Sequence, residues 1–437
     1  MSRSALETVA AIRAGETSAV AETEAAILRI EAGDGTINAV VVRDFDRARE
    51  QARAADARLT DGDPAPLLGL PMTVKESFDI AGLPTSWGFA EHAGHIAHAD
   101  SVAVQRLKAA GAVILGKTNI ATGLADLQCN NPVYGRTVNP LDPERVCGGS
   151  SGGAAAALAA GFVTAELGSD IGGSIRTPAA FCGVWGLKAT YGIINNNGHF
   201  LPGTDAASEA MGVMGPMARN ADDLASLLDV LADFPLPRVE PLEPGPLSIL
   251  LLPEHPLARA SAEVKRAVEA VGQAFEREGA EVERAPDIFP DLAAQHGNYM
   301  KMLLTALSRG APGPRGEAMP LKSWFALEDE QVRCIRAWQR LFREYDAVIA
   351  PVFGTTAFPH DDTPSQERVL TIDGEATPFG AQFAYAGLAT FPNLPSASVP
   401  VAAGADGLPI GLQVICDLYQ DHKAIEIGRL AQALMRS

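Results

Sequence analysis

The sequence predicts a single large α/β/α domain in which a central mixed β-sheet is covered by helices on both faces. Three observations lead to it. From about residue 67 onward, segments of helical period alternate with short apolar runs, and Gly or Pro separates one from the next. The apolar runs are near-continuous, the pattern of strands buried on both sides. Over 437 residues the composition is 47% hydrophobic and 20% charged, far from that of a disordered chain. Length alone, at about 150 residues per domain, would allow two or three domains. Late strands able to join an early sheet favour one.

Each element has its own signal. Leu6, Val9 and Ile12 share one face of a first helix, and Ala25, Ile27, Leu28 and Ile30 mark a second. Asn38–Val42 reads as a short strand, and Arg43–Leu59 as a charged helix stopped before the turn DGDPAP. Leu70–Val74 is a strand ending at Lys75. Ser101–Ala110 is a helix closed by Gly111, and Ala112–Leu115 is a buried strand. Gly152–Ala160 is an alanine-rich helix with Gly161 just past its end, and Phe162–Leu167 is the next strand. Residues 236–246, LPRVEPLEPGP, hold four of the 30 prolines and read as a connector. Beyond it come a strand at Leu247–Leu252, an amphipathic helix at Ser261–Gly279 and a less regular stretch to about residue 345. Strands at Ala347–Val352, Ser396–Val401 and Ile410–Ile415 and a helix at His422–Met435 complete the chain.

Charge and cysteine usage narrow the class. Lys plus Arg number 35 and Asp plus Glu 53, a net charge of −18. So acidic a chain, its bases interleaved with acids, is not expected to bind nucleic acid. The longest nearly apolar stretch, Ala154–Ala165, is well short of the about 20 residues a membrane span needs. The first residues, MSRSALETVAAIRAGETS, hold no apolar core of a secretory signal. Five scattered cysteines (Cys129, Cys147, Cys182, Cys334, Cys416) form no C-x-x-C pair and read as reduced thiols of a cytoplasmic protein.

Three motif matches lack the context their chemistry needs. Gly111–Thr118 (GAVILGKT) fits the phosphate-loop spacing, but the residues between its glycines are apolar, mostly β-prone and preceded by a helix. They read as a helix stop and a core strand. Gly148–Gly152 (GGSSG) fits G-x-S-x-G, yet the preceding NPLDPERVC reads as a loop rather than the strand a nucleophile elbow requires. None of the later histidines (His199, His255, His296, His360, His422) stands in a telling context. His92, His95 and His98 are spaced by threes around Gly94 with no clear helix to align them, so no metal site is expected.

The most informative segments are Cys147–Gly153 (CGGSSGG) and Gly168–Pro178 (GSDIGGSIRTP). They set two serines in glycine-rich loops, 24 residues apart, flanking one helix and one strand. Glycine lets backbone N–H groups approach a ligand, and consecutive N–H groups make an anion-stabilising nest. Tight helix–strand packing would also require small residues. Two such loops, each with a serine, point instead to acyl transfer. A serine hydroxyl needs a base, and no histidine is near in sequence. Lys75 ends the apolar strand LPMTVK, where desolvation would lower its pKa toward neutrality; taken alone, it reads rather as a snorkelling surface lysine.

Three segments together resemble the amidase signature family of serine hydrolases: PMTVKESFDIAGLPTSWG, NPVYGRTVNPLDPERVCGGSSGGAAAALAAG and ELGSDIGGSIRTPAAFCGVWGLKATYG. The late FPNLPSASVPV and GLPIGLQVI are similar to its C-terminal strands, so the resemblance covers nearly the whole chain. TNIATGLADLQCNNPVYGRTVNP is most similar to the fatty acid amide hydrolase branch. The resemblance implies a Ser–cis-Ser–Lys triad. Ser174 falls at the nucleophile, Ser150 at the bridging serine after a cis Gly149–Ser150 peptide, and Lys75 at the base. It implies an oxyanion hole from the backbone N–H groups of Ile171, Gly172, Gly173 and Ser174. Ser151, Asp170 and Arg176 would support this network, and Leu124 would border the acyl pocket. The expected reaction is hydrolysis of a small-molecule amide without metal or cofactor, by a monomer or homodimer. Ester or carbamate hydrolysis would follow the same route, and the family also includes the catalytic subunit of a tRNA-dependent amidotransferase. The expected organisation is an N-terminal helical region (1–65), a catalytic core (66–235) and a C-terminal part (236–437) completing sheet and pocket. Met300, Met302, Leu303, Trp324, Phe325, Phe379, Phe383 and Tyr385 are candidates for pocket walls.

Overall fold

The computed structural model describes residues 3–204, 209–284, 286–312 and 318–436. Eight strands form one sheet in the spatial order Glu281–Glu283, Ser248–Leu251, Ala347–Pro351, Pro409–Ile415, Ser396–Ala403, Trp185–Lys188, Val213–Ala218, Ala165–Asp170. The first three neighbours run parallel and the remaining pairs antiparallel, so the sheet is mixed. Along a strand successive side chains face opposite sides. Trp185 and Val399 pack against Gly428 of the helix Asp421–Arg436. Their neighbours Gly186 and Ser398 face the helix Arg176–Cys182, through Ile175 and Ala179 and through a Ser398 Oγ–Arg176 carbonyl hydrogen bond of 3.0 Å. Helices therefore cover both faces.

Three more strands, Val40–Arg43, Val113–Thr118 and Pro71–Lys75, form a second sheet with Pro71–Lys75 on its edge. That edge runs beside Ala165–Asp170. Thr73 Oγ1 donates to Glu166 Oε1 at 2.5 Å, and Lys75 Nζ reaches Ser169 Oγ at 2.9 Å. The two buried strands thus run in the same direction and deliver Lys75 and Asp170 to one end.

Several boundaries differ from the sequence expectation. The strand expected at Phe162–Leu167 runs Ala165–Asp170, because Phe162 and Val163 are buried in the preceding turn. Leu28 is 62% exposed; Ala26, Ile27 and Ile30 carry the buried face of Ala19–Ile37. The larger correction lies between residues 290 and 345, where two helices, Leu292–Leu307 and Leu321–Leu341, replace the irregular stretch. The first buries Leu292, Gln295, Tyr299, Met302 and Leu303 at helical spacing. Its apolar stripe is broken in sequence by Gln295, whose amide donates to the Gly387 and Leu388 carbonyls and accepts from Trp338 Nε1. The second helix buries only Leu327, Trp338 and Leu341, too few to stand out. Trp185–Lys188 and Val213–Ala218 carry no clear strand signal either; the latter holds Gly215 and Pro216, which interrupt an apolar run.

The phosphate-loop match is a strand, as expected. Val113–Thr118 is buried throughout, and Lys117 Nζ donates to Thr85 Oγ1 at 2.9 Å and to the Pro84 carbonyl. The segment before the GGSSGG loop is not a plain loop. Val138–Asn139 pairs with Asp142–Val146 as a small hairpin leading into Cys147.

Candidate active site

Lys75 is fully buried at the end of its strand. Its Nζ lies 2.7 Å from Ser150 Oγ and 2.9 Å from Ser169 Oγ. Burial lowers the pKa of its ammonium to about 7, against the opposing pull of the Asp170 carboxylate. Ser169, one residue before Asp170, is a partner that the sequence does not announce; its hydroxyl has no distinctive signal.

Ser150 follows a cis Gly149–Ser150 peptide, as the resemblance implied. The loop then enters the helix Gly152–Ala159 against the strand end at Asn119. A Cβ on Gly153 would stand 2.3 Å from the Asn119 nitrogen, so close packing and the loop's shape both require glycine here. Ser151 ties the two serine loops together. Its N–H donates to the Ser174 carbonyl at 3.1 Å, and its hydroxyl lies 3.3 Å from the Ser169 carbonyl.

Asp170 organises the second loop. Its carboxylate accepts from the N–H groups of Gly173 (2.9 Å) and Ile175 (3.0 Å) and from Arg176 Nε (3.1 Å) and Nη2 (2.9 Å). Burial alone would raise its pKa, but the charge and hydrogen bonds of Arg176 outweigh it and hold Asp170 at about 2. Arg176, also buried, reaches on to the Ala386 carbonyl, Gln413 Oε1 and Thr390 Oγ1. Gly173 adopts φ +97°, a conformation that favours glycine. Because its N–H is engaged by Asp170, the free N–H groups of the turn among the described residues are those of Ile171, Gly172 and Ser174.

Ser150 and Ser174 line one cavity, but no hydrogen bond joins their hydroxyls among the described residues. Two spaces meet at Ser174. One, of about 30 Å³, is lined by Ser150, Ser169, Trp87, Asn196, His199 and Glu209. The other, of about 170 Å³, is lined mainly by Leu127, Met300, Leu303, Leu304 and Phe383, and does not include Ser150. Leu124 and Ile171 border both.

Of the expected pocket walls, Met300, Leu303 and Phe383 line the larger space. Met302, Phe379 and Tyr385 belong to the core, and the Tyr385 hydroxyl donates to the Ala258 carbonyl at 2.7 Å. Trp324 packs against the apolar cluster that includes Tyr299, Met302, Leu303 and Leu327, whereas Phe325 is 58% exposed. His199, with no telling sequence context, is buried in the smaller space, its Nε2 3.0 Å from Ser77 Oγ. Burial, reinforced by the charge of Lys75, lowers its pKa to about 3, so the ring is neutral. His92, His95 and His98 lie in a half-buried to exposed loop; no cluster of metal-ligating side chains occurs among the described residues.

The Amidase family model matches residues 21–311 and 315–425 of the chain. Indoleacetamide hydrolase of Bradyrhizobium diazoefficiens is 34% identical over 450 aligned residues, covering 97% of this chain and 84% of the relative. A glutamyl-tRNA(Gln) amidotransferase subunit of Roseiflexus castenholzii is also 34% identical, covering 95% of this chain and 92% of the relative. The solved structure of fatty acid amide hydrolase shares the fold with a TM-score of 0.85, covering all of this chain and 85% of the other, at 22% identity.

Proposed function

The chain belongs to the amidase family of hydrolases acting on carbon–nitrogen amide bonds, and on that premise we propose that Ser174 is its nucleophile, Ser150 its bridging serine and Lys75 its base. The observation that carries this reading is the 2.7 Å contact between buried Lys75 Nζ and Ser150 Oγ, beside Ser174 in the same cavity. Neutral Lys75 takes the Ser150 proton while Ser150 takes that of Ser174, and Ser174 Oγ attacks the amide carbonyl. The free N–H groups of Ile171, Gly172 and Ser174 receive the developing oxyanion, a service worth about 3–4 kcal/mol per donor in other hydrolases. The Gly173 N–H instead holds the loop through Asp170. Ser150 then protonates the leaving nitrogen, the C–N bond breaks, and water releases the acyl group as a carboxylate.

The leaving nitrogen must lie where Ser150 can protonate it, on the side of the smaller space. The acyl group accordingly enters the larger apolar space bordered by Leu124. A cavity of about 150 Å³ holds a benzene ring, so the larger space suits an aryl or medium-length acyl group. This agrees with the similarity to a hydrolase named for indoleacetamide. The catalytic residues fall in the core read at 66–235, and Met300, Leu303 and Phe383 in the C-terminal part. A primary amide with an aryl acyl group, such as phenylacetamide, should turn over in the wild type and not detectably in Ser174→Ala with unchanged circular dichroism; substantial residual turnover in that variant would sink the assignment.

A second reading, as the catalytic part of an amidotransferase, is favoured by the 34% identity to a protein of that name. Glutamine would need partners for its α-ammonium and carboxylate. Among the described residues the charged lining group of the acyl space is Asp126, already held at 2.8 Å by both terminal nitrogens of Arg368. Co-purification with partner subunits would favour this second reading over a free-standing amidase.

A further inference from the structure

The smaller space holds polar side chains that the relay does not use. Asn196, His199 and Glu209 come from the connection between the strands Trp185–Lys188 and Val213–Ala218. The about 30 Å³ there has room for a few water-sized groups, since one water needs about 10–15 Å³. Ammonia fits such a volume; an aniline ring, needing about the volume of benzene, does not. His199 is neutral and turned to Ser77, so it brings no positive charge to the wall. Glu209 packs against Gly212, with Oε2 3.7 Å from where a Cβ there would stand. Burial raises the pKa of its carboxyl, and the charges of Arg309 and Lys75 work against that rise and favour the carboxylate.

We propose that Glu209 selects the leaving group: its carboxylate accepts the N–H groups of the departing nitrogen, so that the enzyme cleaves primary amides and releases ammonia. The proposal rests on the Ser174 reading above. In the step concerned the Ser174 Oγ–carbon bond forms and the C–N bond breaks. The proton leaving Ser174 ends on the nitrogen, which departs as neutral ammonia. A carboxylate facing that nitrogen favours a leaving group with N–H donors. It disfavours an ester oxygen, which offers lone pairs instead. An N-substituent as large as an aryl ring is excluded by volume.

The test holds the acyl group constant and varies the nitrogen: phenylacetamide, N-methylphenylacetamide and phenylacetanilide, with the wild type, Glu209→Ala and Glu209→Gln. Labelling of Ser174 by a fluorophosphonate is measured first in each protein. The expected result is a wild type that prefers the primary amide by roughly a hundredfold in kcat/KM, a preference that falls about tenfold or more in Glu209→Ala. Glu209→Gln, which removes the charge at nearly constant volume, should slow the primary amide while the anilide stays excluded. A wild type that prefers the anilide, or a preference unchanged in both variants, overturns the proposal. If Glu209→Ala does not label, Glu209→Gln decides; if neither labels, Glu209 serves the fold and the proposal fails. A wild type that does not label at Ser174 defeats the underlying serine reading itself, a distinct outcome.

Discussion

A lysine side chain accepts a proton near neutral pH only after losing most of its solvation. Lys75 has lost all of it, and burial brings its pKa to about 7. The sign of the pH dependence follows. Below that value Lys75 carries a proton and cannot take another, so kcat/KM should fall about tenfold per pH unit on the acid side and level off above about pH 7. A pH profile of kcat/KM for a neutral amide checks this; a flat profile between pH 5 and 9 would remove Lys75 from the base position. Lys75→Met should lose turnover at every pH. Lys75 and the serines stood out in the sequence through their motifs and the family resemblance those motifs carry, and the fold brings Lys75 to Ser150. Ser169, His199 and Glu209 were not, because a hydroxyl, an imidazole and a carboxylate in irregular segments gain meaning only when the chain brings them to Lys75.

At the scale of elements, the helix–strand alternation from Pro71 onward was legible because both faces of those strands are buried and the runs are apolar throughout. The helices Leu292–Leu307 and Leu321–Leu341 were not, since one interrupts its buried stripe with Gln295 and the other is largely solvated. The first of them walls the larger space proposed for the acyl group, through Met300, Leu303, Leu304 and Leu307. Replacing Leu303, 3% exposed, by Trp should fill much of the about 170 Å³. We expect kcat/KM for an aryl acyl amide to drop at least tenfold relative to acetamide, read from the ratio of the two substrates. An unchanged ratio would move the acyl group out of this space. Arg368 lies over the Phe379 ring at 4.6 Å while gripping Asp126, clamping the segment that carries Leu124 and Leu127.

At the scale of the whole molecule, the buried ion pair Asp170–Arg176 joins the site to the sheet. Arg176 reaches Gln413 in the strand Pro409–Ile415 and Thr390 in the helix Phe383–Thr390, so three distant parts of the chain converge on one guanidinium. Removing one partner of such a pair leaves an uncompensated buried charge. Arg176→Met should therefore cost about 3–5 kcal/mol in urea denaturation. Arg176→Met combined with Asp170→Asn should cost less than the sum of the two single changes. The pair also sets an acid limit. Asp170 has a folded pKa of about 2, below an unfolded value near 4. Its contribution to stability is complete above about pH 5 and is lost as pH falls through 2. An acid-unfolding midpoint in Asp170→Asn that matches the wild type would contradict this.

The central claim is that Ser174 forms the covalent bond to substrate. Its most direct measurement is to inactivate the protein with a fluorophosphonate and locate the adduct by peptide mass spectrometry. We predict one adduct, on Ser174, rising in proportion to the loss of amidase activity and absent from Ser174→Ala. An adduct on Ser150 or elsewhere, or full inactivation with Ser174 unmodified, would contradict it.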